Sequence, residues 1–87
     1  MNILSQDGET LVNYNNVASL YIRKQYMQYS HPDTWWEIIA MYPAVSNDVI
    51  CDVLARFDDE KECMRVFKRM TSLICQEMAD FVQLGNI

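Results

Sequence analysis

From Asp58 to Leu84 the chain contains neither proline nor glycine, the two residues that most readily end a helix. Within that stretch Cys63, Phe67, Met70, Ile74, Met78 and Phe81 recur every three or four residues, and Val66, Leu73 and Val82 widen the stripe. The spacing predicts an amphipathic helix over 58–84 with one broad buried face. Asp58 and Asp59 offer N-cap acceptors, Glu60 and Glu62 place negative charge at the positive end of the helix dipole, and Gly85-Asn86 is a stop signal. A helix of about 26 residues would be about 39 Å long, longer than the width of a sheet that so short a chain can build. It must bend or overhang. An overhang carrying Met78, Phe81, Val82 and Leu84 would expose apolar surface unless a second copy covered it, so a homodimer through the helix end is one expectation.

The residues before Asp58 follow a different period. Ile3-Leu4-Ser5 and Thr10-Leu11-Val12-Asn13-Tyr14 flank Gln6-Asp7-Gly8-Glu9, whose Asp-Gly pair favours a tight turn, so this stretch reads as a hairpin. Asn15-Asn16 is the next turn candidate. Over 17–28, Ala18, Leu20, Ile22 and Tyr26 share one side of an extended chain, and Ser19, Tyr21, Arg23 and Gln25 share the other. Tyr29-Ser30-His31-Pro32-Asp33 breaks the pattern, because Pro32 disfavours helix at His31. Residues 34–42 are rich in aromatic and β-branched side chains and read as a strand ended by Pro43. Ser46-Asn47-Asp48 is a turn. Residues 49–57 alternate again, with Val49, Cys51, Val53, Ala55 and Phe57 on one side.

The expected fold is therefore α+β: a four- to five-stranded antiparallel sheet over 1–57 with one long C-terminal amphipathic helix over 58–84 packed on one face. A chain of 87 residues allows one domain. The core should hold Leu20, Ile22, one tryptophan, part of 49–57 and the helix stripe, leaving the other sheet face as a candidate binding surface.

Lys plus Arg number 7 and Asp plus Glu 12, a formal charge of −5. Such a chain is repelled by phosphate backbones unless its bases gather on one face, so nucleic-acid binding is disfavoured and a basic protein partner is favoured. Cys51, Cys63 and Cys75 are odd in number and lack paired spacing, so they do not form a disulfide framework. No apolar run reaches the roughly 18 residues of a membrane span. The opening Met1-Asn2-Ile3-Leu4-Ser5-Gln6-Asp7 lacks the basic and apolar regions of a signal peptide, and a reduced, cytoplasmic setting is expected.

Neither a metal nor a cofactor is indicated. His31 is the only histidine, and the three thiols read more simply as small buried hydrophobes than as ligands. No nucleophile-elbow, phosphate-loop or dinucleotide motif occurs, so an enzyme is not expected. Lys61, Arg65, Lys68 and Arg69 form a basic strip on the helix. It could grip an acidic group, but Glu62 stands at ordinary ion-pair spacing, so a solvated face is the plainer reading. The aromatic residues carry more. Trp35 and Trp36 are adjacent, so on a strand they point to opposite faces and only one can join the core. With Tyr21, Tyr29 and Tyr42, which tend toward the face opposite the helix, the outward tryptophan forms the candidate protein-binding surface.

Two stretches carry a resemblance. Ile3-Leu4-Ser5-Gln6-Asp7-Gly8 with the strand ending near Asn15-Asn16-Val17, and the junction Val53-Leu54-Ala55-Arg56-Phe57-Asp58-Asp59-Glu60-Lys61-Glu62, resemble small uncharacterised proteins of Gram-positive bacteria and their phages. The resemblance implies a bacterial or phage origin. By analogy of size and charge it extends to phage-encoded inhibitors of host defence proteins, such as anti-CRISPRs. The expected function is a non-catalytic protein-binding module. The alternatives are a small-ligand binder with an aromatic pocket between sheet and loop, and a single-stranded nucleic-acid binder. The last would need the basic strip and the aromatic rings on one surface.

Overall fold

The computed structural model describes residues 1–26, 34–43, 50–76 and 80–87. The chain is α+β, as expected, but among the described residues it has six strands in two three-stranded sheets and a helix of 16 residues. In order the elements are β1 (Asn2–Leu4), β2 (Leu11–Asn13), a 3-10 turn (Tyr14–Asn16), β3 (Ser19–Tyr26), β4 (Thr34–Met41), β5 (Cys51–Phe57), α1 (Glu60–Cys75), β6 (Phe81–Gln83) and a second 3-10 turn (Leu84–Asn86).

The smaller sheet runs β2-β1-β6. The Asp-Gly hairpin forms as its sequence dictates. Gly8 takes φ 76°, a conformation that costs a side chain dearly, and its N–H donates to the Ser5 carbonyl at 3.0 Å. The Asp7 carboxylate accepts from the Ser5 hydroxyl and, at 3.0 Å, from the Glu9 N–H. These bonds, the Ser5 one foremost, hold its pKa below the usual carboxylate value. β1 is central, antiparallel to β2 and parallel to β6, with Ile3 opposite both Val12 and Val82. All three of those side chains are buried, one from each strand.

The helix over 58–84 is thus corrected. It ends at Cys75, and Phe81–Gln83 is a strand. Of the apolar residues at the end of the presumed stripe, Val82 and Leu84 lie in the core, Phe81 is exposed, and Met78 lies outside the described residues. A strand here pairs its backbone with β1 and buries Val82 beside Ile3, which outweighs the weak local preference for helix. The segment expected to carry a homodimer contact is thus a strand rather than a helix end, with Phe81 exposed on it. The partition into sheet and helix segments changes as well, since the last strand joins the first.

The larger sheet runs β3-β4-β5, antiparallel throughout. α1 begins as expected: Asp59 is the N-cap, its carboxylate accepting from the Lys61 N–H at 3.1 Å. Cys63, Val66 and Met70 are fully buried, and Phe67, Leu73 and Ile74 pack partly against them. These residues meet Ile38 and Ala40 of β4, Leu54 and Ala55 of β5, and Ile3, Val12, Val82 and Leu84 in one continuous core. Leu20, Ile22, Trp36 and Phe57 pack at its margin.

The strict alternation expected of 49–57 is broken by a bulge. The register steps from Ile38 opposite Ala55 to Ile39 opposite Val53, so Leu54 is the extra residue. Leu54 and Ala55 are both buried, while Val53 is exposed. The bulge lets two consecutive side chains face the core, which period-2 reading cannot foresee.

Candidate functional site

The helix-free face of the larger sheet is built in rows across its three strands. Cross-strand register places Tyr21, Ile39 and Val53 in one row and Arg23, Glu37 and Arg56 in the next. Gln25 and Trp35 follow. Alternation along β4 therefore separates the two tryptophans as expected. Trp36 lies on the helix side, against the core and with the Lys24 ammonium 5.8 Å from its ring centroid. Trp35 lies on the helix-free side, half-buried, with the Arg56 guanidinium 4.3 Å from its ring centroid.

Glu37 is 8 % exposed and accepts from Arg23 through Nε at 3.2 Å and Nη2 at 3.0 Å. A carboxylate so enclosed requires this charge-assisted pairing. The same bonds raise the pKa of the Arg23 guanidinium. Ile39, in the adjoining row, is fully buried. The face expected as a binding surface is thus only partly open. Its exposed part lies along β5, at Cys51, Val53 and Arg56, beside Ile50. The Trp35 Nε1 is buried without a hydrogen-bond partner among the described residues.

The tyrosines divide. Tyr21 is on the helix-free face, opposite Ile39. Tyr42 is not: it packs against the helix-side core, and its hydroxyl donates to the Asp52 carboxylate at 2.6 Å. Tyr42 directly follows β4 and continues the side of Trp36, Ile38 and Ala40, a parity that the sequence alone could have supplied. Burial, and then the bond to Asp52, pushes its pKa up to about 12. Tyr29, like His31 and the Ser46-Asn47-Asp48 turn, lies outside the described residues.

The basic strip is exposed along α1. Lys61, Arg65 and Lys68 flank the exposed Met64 on the helix side turned away from the core, with Arg69 beside them. Arg65 forks onto Glu62, as ordinary helix spacing dictates, and also donates to the Ile87 carbonyl at 3.0 Å. The fork lowers the Glu62 pKa and raises that of Arg65. Since α1 covers one face of the sheet and Trp35 lies on the other, the strip and that indole do not share a surface. The joint surface required of a single-stranded nucleic-acid binder is not formed by these residues.

Sequence reasoning missed three features. Only Cys63 of the three cysteines is buried; Cys51 and Cys75 are exposed. Burial, and then the charge of Glu60, raises the Cys63 pKa. A cavity of about 210 Å³ opens between the first 3-10 turn, β3 and the end of α1, lined by Tyr14, Val17, Leu20 and Ile74 among others. It is smaller than the roughly 300 Å³ at which small-molecule pockets begin, and it is not the aromatic pocket expected between sheet and loop. Finally, Gln6 joins the hairpin to β5. Its N–H donates to the Leu54 carbonyl at 2.7 Å, and its side-chain oxygen accepts from the Arg56 N–H at 2.9 Å.

The net charge does not describe the helix-free face, whose paired rows carry Arg23, Glu37 and Arg56 among the described residues. Exposed acids lie elsewhere, at the hairpin tip (Asp7, Glu9) and the start of the helix (Asp58, Asp59, Glu60). No helix is long and apolar enough to cross a membrane among the described residues. No protein-family model, curated protein or solved structure matches the chain.

Proposed function

We propose that the chain is a non-catalytic protein-binding module that holds its partner on the helix-free face of the larger sheet, over Val53, Trp35 and Arg56. The observation that carries this reading is the Arg56 guanidinium held 4.3 Å from the Trp35 ring centroid, next to exposed Val53. Tryptophan and arginine dominate the energetics of protein interfaces, because each combines a large flat contact area with polar donors at its rim. A guanidinium stacked on a ring still presents N–H groups to a partner carboxylate or carbonyl. The exposed acids then act at longer range, on approach rather than at the contact. An inhibitor of a host defence protein would work by the same covering of a surface. What supports that narrower reading is the analogy of size and charge.

The test is affinity capture from lysate of the cells that carry the gene, comparing the wild type with Trp35→Ala, Val53→Asp and Lys68→Glu, each first shown to be folded by circular dichroism. A protein retained by the wild type and Lys68→Glu but lost from the two face variants is expected. Undiminished retention by Trp35→Ala and Val53→Asp overturns the reading.

A further inference from the structure

Two three-stranded sheets present four outer edges, and the structure treats them unequally. Those of β2 and β6 belong to strands of three residues, too short to template another strand. That of β5 is bent by the bulge at Leu54 and occupied by Gln6, which takes up the Leu54 carbonyl and the Arg56 N–H. β3 is different. It is eight residues long, about 26 Å of regular ladder at about 3.3 Å per residue, and among the described residues it pairs with β4 alone. Among the described residues no backbone hydrogen bond reaches it from its outer side.

The charges of the edge strand itself are of one sign, and Glu37 of β4 balances one of them. β3 reads Ser19-Leu20-Tyr21-Ile22-Arg23-Lys24-Gln25-Tyr26, with two adjacent cations and no acid. Being adjacent, they stand on opposite faces, and each is held: Arg23 by Glu37 on the helix-free face, Lys24 near the Trp36 ring on the helix side. A second copy fits this edge poorly, since centred antiparallel pairing would bring Arg23 and Lys24 close to their own equivalents at the seam. A strand with adjacent acids fits it better, because one carboxylate then meets Lys24 on the helix side and the other reaches the Arg23 Nη1, which the bonds to Glu37 do not use. The chain's net charge of −5 does not prevent this, since at physiological salt only charges within about 8 Å are felt strongly.

We propose that the outer edge of β3 binds an extended acidic segment of another protein by adding it to the sheet as a fourth strand. This rests on the protein-binding reading but concerns a separate surface, because the main chain of the edge supplies the bonds and Arg23 and Lys24 supply the selectivity.

The experiment measures amide hydrogen exchange by NMR on the full chain with a capped ten-residue peptide of alternating threonine and valine carrying two central glutamates. The control peptide carries lysines in place of the glutamates. The outward amides of β3 should exchange at least tenfold more slowly with the glutamate peptide and be unchanged with the lysine peptide. In Lys24→Glu, which leaves the Arg23–Glu37 pair intact, protection by the glutamate peptide should fall at least fivefold. Three results overturn the proposal: no protection of β3 at millimolar peptide, equal protection by both peptides, or responses confined to the α1 face around Lys61 and Lys68. Capture lost in Trp35→Ala reports on the sheet face, and protection of β3 reports on the edge, so either reading can fail without the other.

Discussion

The side-chain oxygen of Gln6, at the tip of the first hairpin, accepts the backbone N–H of Arg56 at 2.9 Å, fifty residues away in sequence. With the 2.7 Å bond from its own N–H to the Leu54 carbonyl, it brackets the bulge and ties the small sheet to the large one. Gln6→Ala removes one acceptor and leaves a strand amide without its partner. A loss of about 1 kcal/mol in urea unfolding is expected, with faster exchange of the Arg56 amide than of amides in β4.

The two tryptophans should separate by stability. Trp36→Ala removes a ring packed against the core and should cost about 2–3 kcal/mol. Trp35→Ala loses a half-buried ring and its stacking with Arg56, and should cost about 1 kcal/mol. Denaturant titrations of both variants check the order, and a larger loss at Trp35 contradicts the assignment of faces.

Tyr42 makes stability depend on pH at the alkaline end. Its hydroxyl pKa is raised from an ordinary value of 10.0 to about 12 in the folded chain. The folded state therefore holds the proton more tightly than the unfolded state does. The resulting stabilisation is fully present below about pH 10 and is lost as the pH rises toward 12. Unfolding at pH 8, 10 and 11.5 should show the decline, and Tyr42→Phe should flatten it while costing about 1 kcal/mol at pH 8 through the lost bond to Asp52.

Val82→Asp tests the sixth strand directly. The side chain is 1 % exposed between Ile3 and the rest of the core, where an unpaired carboxylate is unfavourable by several kcal/mol. The variant should be unfolded or nearly so at neutral pH, whereas Phe81→Asp, one residue away but exposed, should lie within about 0.5 kcal/mol of the wild type. Were 81–83 the outer end of a helix, the two would differ far less.

The thiols should fall into two classes. Cys51 and Cys75 are exposed and should react with a disulfide reagent within the mixing time of a manual assay. Cys63 is buried and its pKa is raised, so it should react only at the rate at which the chain opens. Single-cysteine variants assign each phase.

Local chemistry was legible and long-range pairing was not. The Asp-Gly turn, the Asp59 cap, the strand expected over 34–42 and found over Thr34–Met41, and the separation of Trp35 from Trp36 each depend on neighbours within a few residues, and each was legible there. The length of the helix was not, because what ends it is the pairing of Phe81–Gln83 with β1, a contact that spans nearly the whole chain. Tyr42 lies on the helix side rather than on the opposite face expected of it, in the same parity as Trp36, Ile38 and Ala40. The bulge at Leu54 leaves no mark in the sequence, since an apolar run such as Val53-Leu54-Ala55 fits either a regular or a bulged strand. For the candidate site, the residue types were visible early, but not which cations would be neutralised. Arg23 is engaged by Glu37 and Arg56 by the Trp35 ring, and both partners come from β4.

Ile3 and Val82 sit side by side in parallel strands, although they stand seventy-nine positions apart in the sequence. A contact of that span closes a long loop, so it forms more slowly than the neighbouring pairings of the β3-β4-β5 meander. Neither β1 nor β6 therefore melts on its own account: loosening either one uncovers the same buried layer around Ile3, Val12 and Val82.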